Sequence, residues 1–153
     1  MTRGGETLAR LEKSIEIDAS PEKIWSLINW DRVPEWYDSI KKVEWTTPKG
    51  KMGVGTEVHV WSETAGVKGE FDTEITEFVD KEKVTWRTTS GTPTIIYHAT
   101  MIPSGTKHKV TTAFDYELPY SILGKLIDKL KVHKELEKEA ETALQRMKAV
   151  AEK

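Results

Sequence analysis

The chain has 153 residues, 31% charged and 37% apolar, with 23 Lys plus Arg against 25 Asp plus Glu for a net charge of -2. That length suits one domain, and the composition is that of a soluble globular chain rather than a disordered or membrane-embedded one. The near-neutral balance argues against a surface that tracks nucleic-acid phosphates. The absence of Cys excludes disulfides, zinc–thiolate centres, iron–sulfur clusters and thiol nucleophiles. Residues 1–10 lack an apolar signal core, and no run approaches the roughly 18 apolar residues of a membrane span, so a cytoplasmic location is expected. One domain over residues 1–153 is expected, with about the first eight residues a frayed tail. Six Trp against three Phe is the compositional oddity.

In chain order, Leu11, Ile15 and Ile17 alternate with Glu12, Ser14 and Glu16, which predicts a strand ending near Ala19. Ser20-Pro21-Glu22 then supplies a helix start, with Ser20 as N-cap and Pro21 at the first helical position. Ile24, Trp25, Leu27 and Ile28 follow at helical spacing. The stretch from Asp31 to Pro34 predicts a break, and Pro34 to Ser39 a second short helix.

Between Lys41 and Tyr116, short alternating runs punctuated by turn residues predict six antiparallel strands. The turns fall at Pro48-Lys49-Gly50, Ala65-Gly66, Asp80-Lys81, Gly91-Thr92-Pro93 and Ser104-Gly105. Two-residue turns fix the register. The first hairpin puts Val60 opposite Phe71, Val58 opposite Thr73, His59 opposite Asp72 and Glu63 opposite Lys68. The second puts Ile75 opposite Trp86, Thr73 opposite Thr88 and Glu74 opposite Arg87. The third puts Tyr97 opposite Thr112, Ala99 opposite Val110 and Ile95 opposite Phe114. All three sort into one apolar and one charged face.

After Pro119 the period becomes helical for about 30 residues, or roughly 45 Å. Leu123, Leu126, Leu130, Ala140, Leu144, Met147 and Ala151 form its apolar seam. The fold class is therefore α+β, a curved seven-stranded antiparallel sheet holding a long C-terminal helix, with two short helices after the first strand. A long helix cannot fill all the space beneath a strongly curved sheet, so an internal cavity is expected.

These segments resemble a known family. Ala19-Ser20-Pro21-Glu22-Lys23-Ile24-Trp25 and then Pro34-Glu35-Trp36 are similar to the opening of the polyketide cyclase/dehydrase and lipid-transport proteins. These proteins share a superfamily with the START lipid-transfer domains and the birch-pollen allergens. Gly53-Val54-Gly55-Thr56 resembles their glycine-containing turn. Tyr116-Glu117-Leu118-Pro119-Tyr120, Leu123-Gly124-Lys125-Leu126 and Leu136-Glu137-Lys138 resemble their entry into the last helix. The resemblance implies the helix-grip fold with a hydrophobic cavity between sheet and helix. Members bind lipids, quinones or plant metabolites, cyclise polyketides, or act as adaptors, and fold does not choose among these.

The expected ligand wall is Phe71, Trp86, Tyr97, Phe114 and Tyr116 on the apolar face, with Trp36 and Tyr37 at the rim. Val58, Val60, Thr73 and Thr112 share that face, and Leu126, Leu130 and His133 come from the helix. For any one of these the ordinary reading is core. As a group, Tyr, Trp and Thr add polar points to an apolar wall, which is the make-up of a small-molecule pocket. His133 and Glu137 are four apart inside the apolar seam. They are either an acid/base or anchoring pair facing the ligand or two solvated side chains where the helix bows outward.

His59 opposite Asp72 reads as a surface pair, and no histidine spacing suggests a metal. No phosphate loop, dinucleotide fingerprint or nucleophile elbow is present. Neither metal nor cofactor is expected, nor any nucleic-acid partner or integral membrane association beyond transient contact. The first functional expectation is binding or transport of a hydrophobic or amphipathic small molecule. The alternatives are a cyclase/dehydrase-type enzyme using the same cavity, and an adaptor acting through surface contacts. Trp61, placed outward opposite Glu70, is the candidate contact for a second copy or a partner.

Overall fold

A computed structural model describes residues 2–3, 6–7, 9–64, 66–117 and 129–153, by backbone alone at 2, 3, 6, 7, 92, 129 and 130. Seven strands build one antiparallel sheet: β1 (Ala9–Ile17), β2 (Ile40–Trp45), β3 (Glu57–Thr64), β4 (Val67–Val79), β5 (Lys83–Thr92), β6 (Thr94–Ser104) and β7 (Lys107–Glu117). Their spatial order is β1-β7-β6-β5-β4-β3-β2, so consecutive strands from β2 onward pair and β1 closes onto β7. Helix α1 (Pro21–Ser26) and a 3-10 helix (Trp30–Glu35) follow β1, and α2 (Lys129–Ala151) ends the chain. A two-residue ladder also joins Thr2–Arg3 to Glu6–Thr7. This is the helix-grip arrangement.

The helix start at Ser20 forms as the sequence predicts. Its hydroxyl accepts from the Lys23 N–H at 3.2 Å, Pro21 occupies the first turn, and Ile24 and Trp25 are buried. The second short helix lies earlier than expected, at Trp30–Glu35 rather than Pro34–Ser39. Asn29 starts it by accepting from the Asp31 N–H at 2.9 Å, and Pro34 is carried inside the tight turn. Trp30 and Val33, three apart, both become buried on its inner side.

The first hairpin register is as predicted, from Val58 opposite Thr73 to Glu63 opposite Lys68. In the second, Asp80-Lys81-Glu82 forms a three-residue turn with Lys81 at φ 62 rather than a two-residue one. An irregularity between Ile75 and Glu77 cancels the extra residue, so Ile75 opposite Trp86 and Glu74 opposite Arg87 stand. The third hairpin is shifted by two residues. Tyr97 pairs with Phe114, Ala99 with Thr112 and Ile95 with Tyr116. The turn is Gly105-Thr106, because Gly105 takes φ 62 and so belongs at the first central position. A slip of two preserves the inner and outer faces, which is why the facial assignment survives.

Helix α2 grips the sheet by its C-terminal half. Ala140, Ala143, Leu144, Met147 and Ala151 are buried, and the small alanines let the helix approach closely. Polar ties fasten the same half to β1 and the segment after it. Lys13 Nζ lies 2.7 Å from Glu141, Lys148 Nζ donates to the Glu16 carbonyl at 3.1 Å, and the Asp18 N–H donates to Glu152 at 2.8 Å. The expected helix start after Pro119, with Leu123 and Leu126, lies outside the described residues, as does the side chain of Leu130.

On the outer face His59 sits between two carboxylates, Nδ1 2.6 Å from Asp72 and Nε2 2.6 Å from Glu70. Ser90 donates to the other Asp72 oxygen at 2.6 Å. Trp61 is half-buried here, with the His59 ring 4.4 Å away and Lys42 Nζ 4.7 Å from its own ring centroid. The hydrogen bonds to Asp72 and then Glu70 raise the His59 pKa above 6.5. A raised histidine adds stability that is fully present below the unfolded value of 6.5 and is lost as pH climbs through the folded value. The expected size is modest, at most about 1 kcal/mol for so accessible a cluster. NMR titration should place the His59 midpoint above 6.5, with Asp72→Asn bringing it down. A midpoint at or below 6.5 would contradict the bracketed geometry.

Candidate functional site

Beyond its alanine-rich half, α2 turns larger side chains toward the sheet, and an apolar cavity of about 110 Å³ lies between them. Helix residues Val132, Leu136 and Glu139 form its roof. Ile28, Trp30, Val33 and Trp36 close one side, and Met52 joins them from the loop before β3. Met52 is held there by its sulfur, which accepts the Trp30 N–H at 3.2 Å. The Trp36 indole N–H donates to the Leu27 carbonyl at 2.7 Å, locking that side wall to the end of α1.

The floor is a run of aromatic rings on adjacent strands. Trp86 lies near-parallel to both Tyr97, 5.2 Å away at 26°, and Phe71, 6.1 Å away at 20°. Phe114 meets Tyr97 at 4.9 Å and Tyr37 edge-on at 6.0 Å. The hairpin registers cause this, since Tyr97 is opposite both Trp86 on β5 and Phe114 on β7. Aromatic pairs at such spacings add attraction beyond the area they bury.

Polar groups in this wall are few. Tyr37, Tyr97 and Tyr116 line it, and burial pushes all three phenols up in pKa. Tyr37 is raised further by Tyr97 and by the Glu139 charge. The phenols therefore remain protonated donors at neutral pH. The Tyr116 hydroxyl lies 2.8 Å from His133 Nδ1, with the two rings near-parallel at 21°.

Seven residues expected from the sequence thus meet around one cavity: Trp36, Tyr37, Phe71, Trp86, Tyr97, Phe114 and Tyr116. Val58, Val60, Thr73 and Thr112 are buried on the same face but are not part of the cavity wall. They sit further along their strands than the cavity-lining Ser62, Thr64 and Phe71, and Val58 and Val60 are fully buried in the common core. Thr73 donates to the Val58 carbonyl at 3.3 Å and so is satisfied within the sheet. His133 reaches the cavity through Tyr116, whereas Glu137 turns to Lys13, its carboxylate 3.1 Å from Nζ. The two side chains that helical spacing brings together each take a different partner.

Several wall residues carry only a faint signal in the sequence. Trp30 and Val33 have a three-residue spacing that fits a 3-10 turn, and Val132 with Leu136 extends the helix seam by four. Met52, isolated in a loop, gives no such signal. An open polar groove of about 480 Å³ borders the cavity and shares Ser39 and Glu139 with it. Among the described residues no group of three or more His, Cys, Asp or Glu is placed to hold a metal ion, and no helix is long and apolar enough to cross a membrane.

Comparison with known proteins agrees with this architecture. The fold matches TTHA0849 from Thermus thermophilus at a TM-score of 0.77 and 20% identity, over 94% of this chain and 97% of that one. It matches a START superfamily protein from Mycobacterium smegmatis at 0.75 and 18% identity, over 94% and 97%. Ginseng major latex-like protein 151 from Panax ginseng aligns at 0.68 and 17% identity, over 95% and 98%. At these identities the likeness concerns the fold alone. No curated protein matches the chain by sequence. The family model described as polyketide cyclase / dehydrase and lipid transport spans residues 9–152, and the chain belongs to that family.

Proposed function

We propose that this protein binds a hydrophobic or amphipathic small molecule in the cavity between the sheet and α2. The observation that carries this reading is the cavity wall itself: stacked aromatic rings with only a few hydroxyls, beneath the half of α2 that carries no clamping alanines. A filled core of this size would interdigitate its side chains and leave no such space. Burial of apolar ligand surface supplies the affinity, at about 25 cal/mol per Å², and the Tyr hydroxyls orient the polar end. Trp36, Tyr37, Phe71, Trp86, Tyr97, Phe114 and Tyr116 are the ligand wall.

A second reading rests on the Tyr116–His133 hydrogen bond. In a cyclase/dehydrase-type reaction, His133 would exchange a proton with the Tyr116 hydroxyl at the ligand's edge. It predicts that His133→Ala abolishes turnover of a ketide-like substrate while leaving its binding intact.

The binding reading is tested by filling the cavity. Ile95 lines it from β6 and is half-buried, so Ile95→Trp places an indole in the ligand's space. Binding of the neutral dye Nile red should be lost in this variant, with its melting temperature within a few degrees of wild type. Undiminished dye binding by Ile95→Trp would contradict the assignment of the cavity.

A further inference from the structure

Accepting the binding reading above, the size of the space decides what can enter it. The cavity holds about 110 Å³. Pockets for drug-sized molecules begin near about 300 Å³, whereas an apolar cavity of about 150 Å³ takes up one benzene molecule. The volume here is therefore on the scale of one six-membered ring, about six carbon atoms. The larger space beside it, about 480 Å³, is the open polar groove, which meets the cavity at Ser39.

The walls favour a ring over a chain. On three neighbouring strands, the planes of Phe71 and Tyr97 lie 20° and 26° from that of Trp86 between them. Such a row attracts a further ring by offset stacking or edge-to-face contact, a gain beyond buried area that an alkyl chain lacks. The walls also resist swelling. The Trp36 indole is tied to the Leu27 carbonyl at 2.7 Å, and the Met52 sulfur accepts the Trp30 N–H at 3.2 Å. Making room for a chain would disrupt such contacts, and close-packed interiors yield little.

We infer that the ligand presents a single aromatic ring to this cavity, as a benzyl compound does, and that a long acyl chain is not accommodated. A larger molecule lodges one ring here and leaves its remainder in the groove. Methylene groups that reach the groove stay in contact with water, so they add little to the affinity. Tyr37, Tyr97 and Tyr116 line the same space and offer hydroxyls to a polar substituent on the ring.

Displacement of Nile red from the full chain by benzyl alcohol, 1-butanol, 1-hexanol and 1-octanol tests this. Each buried methylene strengthens binding about fourfold, so 1-hexanol should bind roughly fifteenfold tighter than 1-butanol. From 1-hexanol to 1-octanol the gain should be less than about threefold, because the added carbons find no room. Benzyl alcohol should bind more tightly than 1-hexanol, although the hexyl chain leaves water more readily. Leu136 lines the roof from a half-buried position on α2. In Leu136→Ala, 1-octanol should therefore bind at least about fivefold tighter than 1-hexanol. A larger wild-type gain from 1-hexanol to 1-octanol overturns the inference, as does benzyl alcohol binding more weakly than 1-hexanol. A Leu136→Ala variant that keeps the wild-type chain-length limit overturns it too. Nile red that binds but is displaced by none of the four also overturns it, and the binding reading stands. If wild type does not bind Nile red at all, the binding reading itself falls and takes this inference with it.

Discussion

Trp36→Ala should lower the unfolding free energy by about 3–5 kcal/mol, the usual loss when a large buried aromatic is cut to a methyl group. The indole is 2% exposed, so nearly all of its area returns to water on unfolding. Its loss also strips the Leu27 carbonyl of the 2.7 Å hydrogen bond that joins the 3-10 segment to α1. A buried carbonyl left without a donor costs about 1–3 kcal/mol on its own. Urea unfolding measures the total. Trp36→Phe separates the two contributions, because it keeps most of the ring and removes only the donor. The expected order is wild type, then Trp36→Phe, then Trp36→Ala. A loss under about 1 kcal/mol for Trp36→Ala would contradict the packing of this wall. In thermal terms the larger loss corresponds to roughly 10 °C for a domain of this size.

The other large effect is expected at Gly91, on β5 where it faces β4. Its φ of +87° lies in the left-handed region, and an added Cβ would come within 2.3 Å of the Glu70 carbonyl oxygen and 2.8 Å of the Phe71 Cα. Both obstacles are backbone, so no side chain can swing aside. Phe71 is opposite Gly91 and is 1% exposed, which ties this close approach to the cavity floor. Gly91→Ala should therefore cost roughly 2–5 kcal/mol from the strained dihedral plus forced separation of β4 and β5. Hydrogen exchange should show β4 amides near Phe71 losing protection ahead of those near Ile75. A variant as stable as wild type would mean that the two strands are not so closely apposed.

Alternation along the chain is enough to read the sheet and its faces, because every misplacement is an even one or is cancelled. The β6–β7 hairpin lies two residues from its expected register, so Tyr97 and Phe114 stay inward although their partners change. An irregularity between Ile75 and Glu77 absorbs the extra turn residue at Glu82. Local periodicity does not record where along a strand a side chain lies relative to the helix above it. Val58 and Phe71 share a face and one buried core, yet only Phe71 also lines the cavity. Helical spacing likewise makes His133 and Glu137 neighbours, whereas Tyr116 and Lys13 lie more than ten residues away in sequence and take one each.

The two halves of α2 explain why such a fold can hold a ligand without being unstable. Ala140, Ala143, Leu144, Met147 and Ala151 pack closely, so the clamp and the cavity are carried by different residues of one helix. On the proposed binding reading, the space under the first half of α2 holds the ligand. Native mass spectrometry of the full chain purified gently from its own host, followed by organic extraction, addresses that claim directly, with Ile95→Trp prepared in parallel. A reproducible added mass on the wild-type protein, extractable as one apolar compound and absent from Ile95→Trp, is the predicted result. A bare polypeptide mass for wild type, with Trp fluorescence unchanged across a panel of lipids and quinones, would contradict it.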